Sequence, residues 1–203
     1  MVNDSSTTDR LPRILMFPAS LRRHSHQRSL VDHLAARMGD RCIVDILSPG
    51  DIGLPLFNQD LEADPDVVRE VIALNERFVR ADGLVVASPE YNGNVSPYLK
   101  NTVDWISRLS RMDSSYDGPD AFRDKPLLLA SASTGWTGGM LGLQAARAVF
   151  GYLGCLMLPA EICVPHADRG RAQNALALSP SLAAHIDWAV SRFLVLVQRV
   201  RTP

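Results

Sequence analysis

Short apolar runs alternate with segments of helical periodicity along most of this chain, and that alternation limits its fold more than any other feature. Strand followed by helix followed by strand cannot close as a hairpin. The chain must cross over, which gives a mainly parallel sheet with helices on both faces. Strands are expected at Arg13–Phe17, Cys42–Leu47, Leu84–Ala87 and Pro126–Ala132, with a fifth inside Cys155–Val164 that Pro159 breaks. The first helix starts near Ser25, carries Leu30, Leu34 and Met38 on one face and stops at Gly39. Asp64-Pro65 opens the second, an N-cap followed by proline at the first helical position. Further helices are expected over Pro97–Leu109 and Gly138–Leu153, and from Pro180 behind a Ser179 cap, with Leu182, Ile186, Val190, Phe193 and Val197 as a buried stripe.

No internal repeat or low-complexity linker interrupts this pattern, so residues 12–203 read as a single domain behind a loose polar tail, Met1–Leu11. A chain of 203 residues can bury about 70% of its unfolded surface. Hydrophobic residues make up 46% and charged residues 21%, the balance of a globular protein. The net charge of −1 gives no electrostatic case for a nucleic-acid partner. No apolar run is long enough for a membrane span, and the tail lacks an apolar core of the secretory kind. Cys42, Cys155 and Cys163 lack metal-ligand spacing and read as reduced thiols, which points to the cytoplasm.

In an open parallel sheet the ligand crevice lies beyond the carboxyl ends of the strands, so the loops there are the ones expected to carry the chemistry. After the first strand, Ser20, Arg22, Ser25 and Gln27 lie at or just before a helix N-terminus, where free N–H groups and the helix dipole favour a phosphate. Arginine adds a planar fork that matches phosphate oxygens. The bland alternative is an ordinary Ser25 N-cap beside a solvated basic turn of Arg22, Arg23 and His24. After the third strand runs Pro89-Glu90-Tyr91-Asn92-Gly93-Asn94, dense in hydrogen-bonding groups. After the fourth, Ser133, Gly135, Gly138 and Gly139 form a glycine-rich passage into a helix, around Trp136. Triphosphate and dinucleotide glycine motifs are missing, as is a nucleophile elbow. The histidines His24, His26 and His166 make no metal set, and no catalytic side chain is assigned.

These strings resemble the NAD(P)H-dependent FMN reductase family. Pro89-Glu90-Tyr91-Asn92 matches its PEYN loop, and Leu99-Lys100-Asn101 with Asp104-Trp105 is also typical. Ser20 to Gln27 resembles its phosphate loop, with Ala19 in place of glycine and Gln27 in place of asparagine. Ser133 to Gly139 is similar to its S-x-G-x-x-G-G loop. The resemblance implies a flavodoxin-like doubly wound α/β fold, a five-stranded parallel sheet in the order 2-1-3-4-5. It implies FMN held by Ser20, Arg22, Ser25 and Gln27 at the phosphate, by Pro89, Glu90, Tyr91, Asn92 and Gly93 along the ring, and by Ser133 and Gly135. Lys100, Asn101, Asp104 and Trp105 would support the loop instead. NADPH or NADH would be the co-substrate, and a quinone, azo compound, flavin or metal oxyanion the small acceptor. A homodimer or homotetramer is implied too, for which the apolar face of the third helix and the loop around Tyr98 are candidates, although interior packing explains that face equally well. Two alternatives stay open: an FMN electron carrier without NAD(P)H turnover, which the weak net charge disfavours, and a flavin-free binding module.

Overall fold

The computed structural model describes residues 10–113, 116, 118, 120–169 and 176–201. Of the expected tail, Met1 to Asp9 lie outside the described residues, while Arg10 makes a two-pronged bond to Asp82. Among the described residues, six strands form one parallel sheet: β1 (Arg13–Pro18), β2 (Ile43–Ile46), β3 (Gly83–Ala87), β4 (Pro126–Ala132), β5 (Leu156–Met157) and β6 (Ile162–Val164). The order is β2-β1-β3-β4-β5, with β6 also paired to β4. The expected fifth strand therefore occupies its place in two pieces. β5 pairs with the start of β4 and β6 with its end. Pro159, which has no N–H to donate, falls in the gap between them.

The helices are α1 (His26–Met38), α2 (Pro65–Arg80), α3 (Pro97–Ile106), α4 (Leu109–Met112), α5 (Met140–Tyr152) and α6 (Pro180–Arg201). Most begin where the sequence places a cap. Ser25, Asp64 and Ser96 each accept a backbone N–H of the following turn, and Ser179 accepts that of Leu182. The third helix is shorter than its periodicity suggested, because the chain kinks after Ile106 and restarts as α4.

The strands read as unbroken apolar runs because both faces of the sheet are covered. Ile14, Met16, Val85, Leu128 and Ala130 point to one side and pack with Leu30 and Leu34 of α1 and Ile186, Phe193 and Val197 of α6. Leu15, Phe17, Leu84, Val86, Leu127 and Leu129 point to the other, against Phe78 of α2, Val103 of α3 and Phe150 of α5. The apolar face of α3 is thus interior. Tyr98 meets the Phe17 ring edge-on at 5.4 Å, and its hydroxyl donates to the Pro49 carbonyl.

All three cysteines are free thiols, with Cys42 and Cys155 buried and Cys163 half-buried. Burial pushes the Cys155 thiol up to about 12 and the Cys163 thiol to about 11, from an ordinary value of 9.0. A raised thiol stabilises the fold fully below the unfolded value and loses that contribution as pH climbs through the folded one. Lys125 works in the opposite sense, since burial lowers its ammonium. The thiol contribution is therefore expected to be lost as pH rises from about 9 towards about 11, so over that range the urea midpoint shifts less in the destabilising direction in Cys155→Ala than in wild type. Equal slopes in the two proteins would show that the thiol is not responsible.

Candidate active site

The loops after β1, β3 and β4 meet at one end of the sheet, tied together by side chains. Ala19 N–H donates to Ala87 O at 2.8 Å, extending the β1–β3 ladder past the strand ends. Ser96, which caps α3, also donates its hydroxyl to Ala19 O at 2.7 Å. Gln27 is buried, and its amide bonds both backbone groups of Ala132, donating at 2.7 Å and accepting at 3.2 Å. Glu90 Oε2 accepts the Gly142 N–H of α5 at 3.1 Å. The first loop is braced to the second by Ser96 and to the third by Gln27, and the second to the third by Glu90.

Ser20, Arg22 and Ser25 line a cavity of about 290 Å³ at the start of α1, together with Arg23 and Arg28. Ser25 Oγ accepts the Arg28 N–H and Ser20 Oγ that of Arg22, so both hydroxyls also shape the turn. The Arg28 guanidinium is engaged by Asp32 at 2.8 Å. That of Arg22 is exposed and has no partner among the described residues. Gln27 is the second residue of the same helix, with both ends of its amide spent on β4.

The second loop is a tight β-turn. Tyr91 and Asn94 exchange backbone hydrogen bonds of 3.0 and 3.1 Å around Asn92 and Gly93, whose φ angles are +54° and +73°. Two successive positive φ angles define the type I′ hairpin turn that Asn-Gly favours. Gly93 is therefore needed by the turn itself. The hairpin leaves the N–H groups of Glu90, Asn92 and Gly93 without an acceptor among the described residues, and Tyr91 is 46% exposed.

The glycines of the third loop answer to packing. Gly138 and Gly139 have φ angles of +66° and +92°. A Cβ on Gly138 would lie 2.9 Å from the backbone at Cys163 and Val164, and one on Gly139 would overlap the Ser131 hydroxyl. A Cβ on Gly135 would meet only the Ser133 hydroxyl, at 3.5 Å, which already accepts the Gly135 N–H. Trp136, between them, is 79% exposed.

Ser96 and Gly142 escaped the sequence reading as parts of the site, as did Pro49, which borders the phosphate-sized cavity from the loop after β2. Ser96-Pro97 carried a cap signal that marks only a helix start. The Asn101 side chain donates to Pro55 O and accepts the Phe57 N–H, and the Trp105 indole donates to Pro55 O, so both hold that same loop in place. Lys100 and Asp104 pair with each other on the surface.

An unpartnered guanidinium, two hydroxyls and a helix N-terminus suit a phosphate, and the free hairpin N–H groups suit the polar edge of a flat ring. A profile of the family described as NADPH-dependent FMN reductase matches residues 12–169. The chain belongs to the NADPH-dependent FMN reductase family. It is a flavin-dependent oxidoreductase with FMN as cofactor and NAD(P)H as electron donor. Among similar proteins, a 2-hydroxy-1,4-benzoquinone reductase of Burkholderia sp is 29% identical over 92% of this chain and 96% of its own. A quinone reductase of Pseudomonas putida is 32% identical over 69% of this chain and 71% of its own. Its fold is shared by FerB, a flavoenzyme NAD(P)H:(acceptor) oxidoreductase of Paracoccus denitrificans, with a TM-score of 0.76 at 24% identity, covering 93% and 98% of the two chains. An azoreductase of Bacillus anthracis gives 0.60 at 12% identity, covering 93% and 100%.

Proposed function

We propose that this FMN reductase passes electrons from NADPH or NADH to a quinone-type acceptor. The observation that carries this reading is the cavity at the start of α1, with the Arg22 guanidinium unpaired, braced directly to the hairpin that presents free N–H groups. Arg22, Ser20 and Ser25 hold the FMN phosphate, and Pro89 to Gly93 border the ring. Ser133 and Gly135 complete the edge of the site, and Gln27 fixes the first loop to the third. When bound, FMN supplies reversible uptake and release of a hydride equivalent. Neither transfer requires a side chain to gain or lose a proton, so no acid or base is assigned. Exposed Tyr91 and Trp136 give the opening an apolar rim suited to a flat acceptor. The quinone-reducing relatives support that acceptor class.

Purified protein is expected to be yellow, to bleach anaerobically with NADPH and to recover its colour on adding benzoquinone. Its initial rates should give parallel double-reciprocal lines, as alternating use of one site requires. Colourless protein that FMN cannot reconstitute would end this reading, and bleaching by NADPH with reoxidation only by an azo dye would move the acceptor class. We also place the enzyme inside the cell, in keeping with its free thiols, and assign it as a homo-oligomer. The outward face of α5 supports the latter, with Met140 and Leu141 exposed and Tyr152 92% exposed, running directly from the rim of the site. A single-chain mass in light scattering would refute the assembly, and recovery in a secreted fraction the location.

A further inference from the structure

The start of α5 lacks the features that normally complete a helix N-terminus. Its N-cap is Gly139, which has no side chain to accept a bond, and its first turn contains no acidic residue. The acceptor is supplied from elsewhere in the chain, by Glu90 Oε2 on the Gly142 N–H. The fit is close. A Cβ on Gly142 would lie 3.0 Å from Glu90 Cβ, 3.1 Å from its Cα and 3.2 Å from the Asn94 carbonyl oxygen. The first turn of α5 thus packs against the back of the hairpin, and glycine at 142 is what admits the contact.

A helix N-terminus carries roughly half a positive charge. Left uncompensated behind the hairpin, it would favour added negative charge on a ring bound along the other side. From this we infer that Glu90 is a positioning residue that also sets the reduction potential of the flavin. Its backbone borders the ring, while its carboxylate holds the hairpin on α5 and offsets the positive helix end. The offset keeps the potential low and so makes the reduced cofactor a stronger donor. The inference rests on the FMN reading above.

The test uses the full-length protein loaded with FMN. Glu90→Gln keeps an oxygen that can accept the Gly142 N–H but removes the charge. Its FMN affinity should stay within about threefold of wild type, while the flavin midpoint potential, read against a reference dye, becomes more positive. Glu90→Ala loses both the charge and the bond. It should raise the potential, weaken FMN binding, alter the visible circular dichroism of the flavin and, in the flavin-free protein, speed amide exchange across residues 140–143. Should Glu90→Ala fail to fold, the glutamine variant still decides the electrostatic role, and Glu90→Ser, read by the same exchange and dichroism, decides the positioning role. A potential unchanged in Glu90→Gln would overturn the electrostatic role, and unchanged exchange and dichroism in Glu90→Ala the positioning role. Wild-type protein that takes up no FMN would instead remove the underlying reading.

Discussion

In a fluorescence titration, Arg22→Ala is expected to bind FMN about 10- to 150-fold more weakly than wild type, the equivalent of losing about 1.5–3 kcal/mol, as for a hydrogen bond to a charged group. The guanidinium has no partner among the described residues and is exposed, so its removal leaves no buried group unsatisfied and no cavity. The loss should therefore appear in ligand affinity and not in the urea midpoint of the flavin-free protein. Arg22→Lys should recover only part of the affinity, because an ammonium cannot make the paired bonds of the planar fork. Arg28→Ala gives a useful contrast. Its guanidinium is already engaged by Asp32, so a smaller effect is expected. Unchanged FMN affinity in Arg22→Ala would take this residue out of the phosphate site.

The largest stability effect is expected at Gly139. Alanine there must hold a φ of +92° and place its Cβ where the Ser131 hydroxyl already lies, beneath the start of α5. Backbone strain of about 1–3 kcal/mol and overpacking of a similar size together give a loss of about 2–6 kcal/mol. That corresponds to a clear drop in urea midpoint and to loss of bound flavin as the third loop shifts. Gly135→Ala, whose added Cβ would make only an ordinary contact with the Ser133 hydroxyl at 3.5 Å, should stay within about 0.5 kcal/mol of wild type. Equal effects at the two positions would mean that the glycines serve ligand approach more than packing.

Much of the fold is legible along the chain because its cues are local. Pro126–Ala132 can be read to its last residue, since a strand covered on both faces is apolar throughout. The starts of α1, α2 and α6 follow from Ser25, Asp64-Pro65 and Ser179-Pro180, where a cap and the turn it caps are neighbours. The bracing of the site is not legible in that way. Gln27 bonds Ala132, 105 positions away, and Glu90 bonds Gly142, 52 positions away. Which of several polar groups in a loop turns inward depends on how closely the loops approach, and only the assembled sheet sets that. The glycines of the third loop show the same division. Their spacing marks a special backbone, but whether it makes room for a ligand or for Ser131 and the backbone at Cys163 depends on the tertiary contact.

The break at Pro159 has a consequence for behaviour at high concentration. Where β4 would otherwise border one long outer strand, it meets a piece of two residues and another of three. A row of unsatisfied amides that short offers poor footing for a strand from another molecule. Aggregation by sheet extension on that flank is accordingly disfavoured.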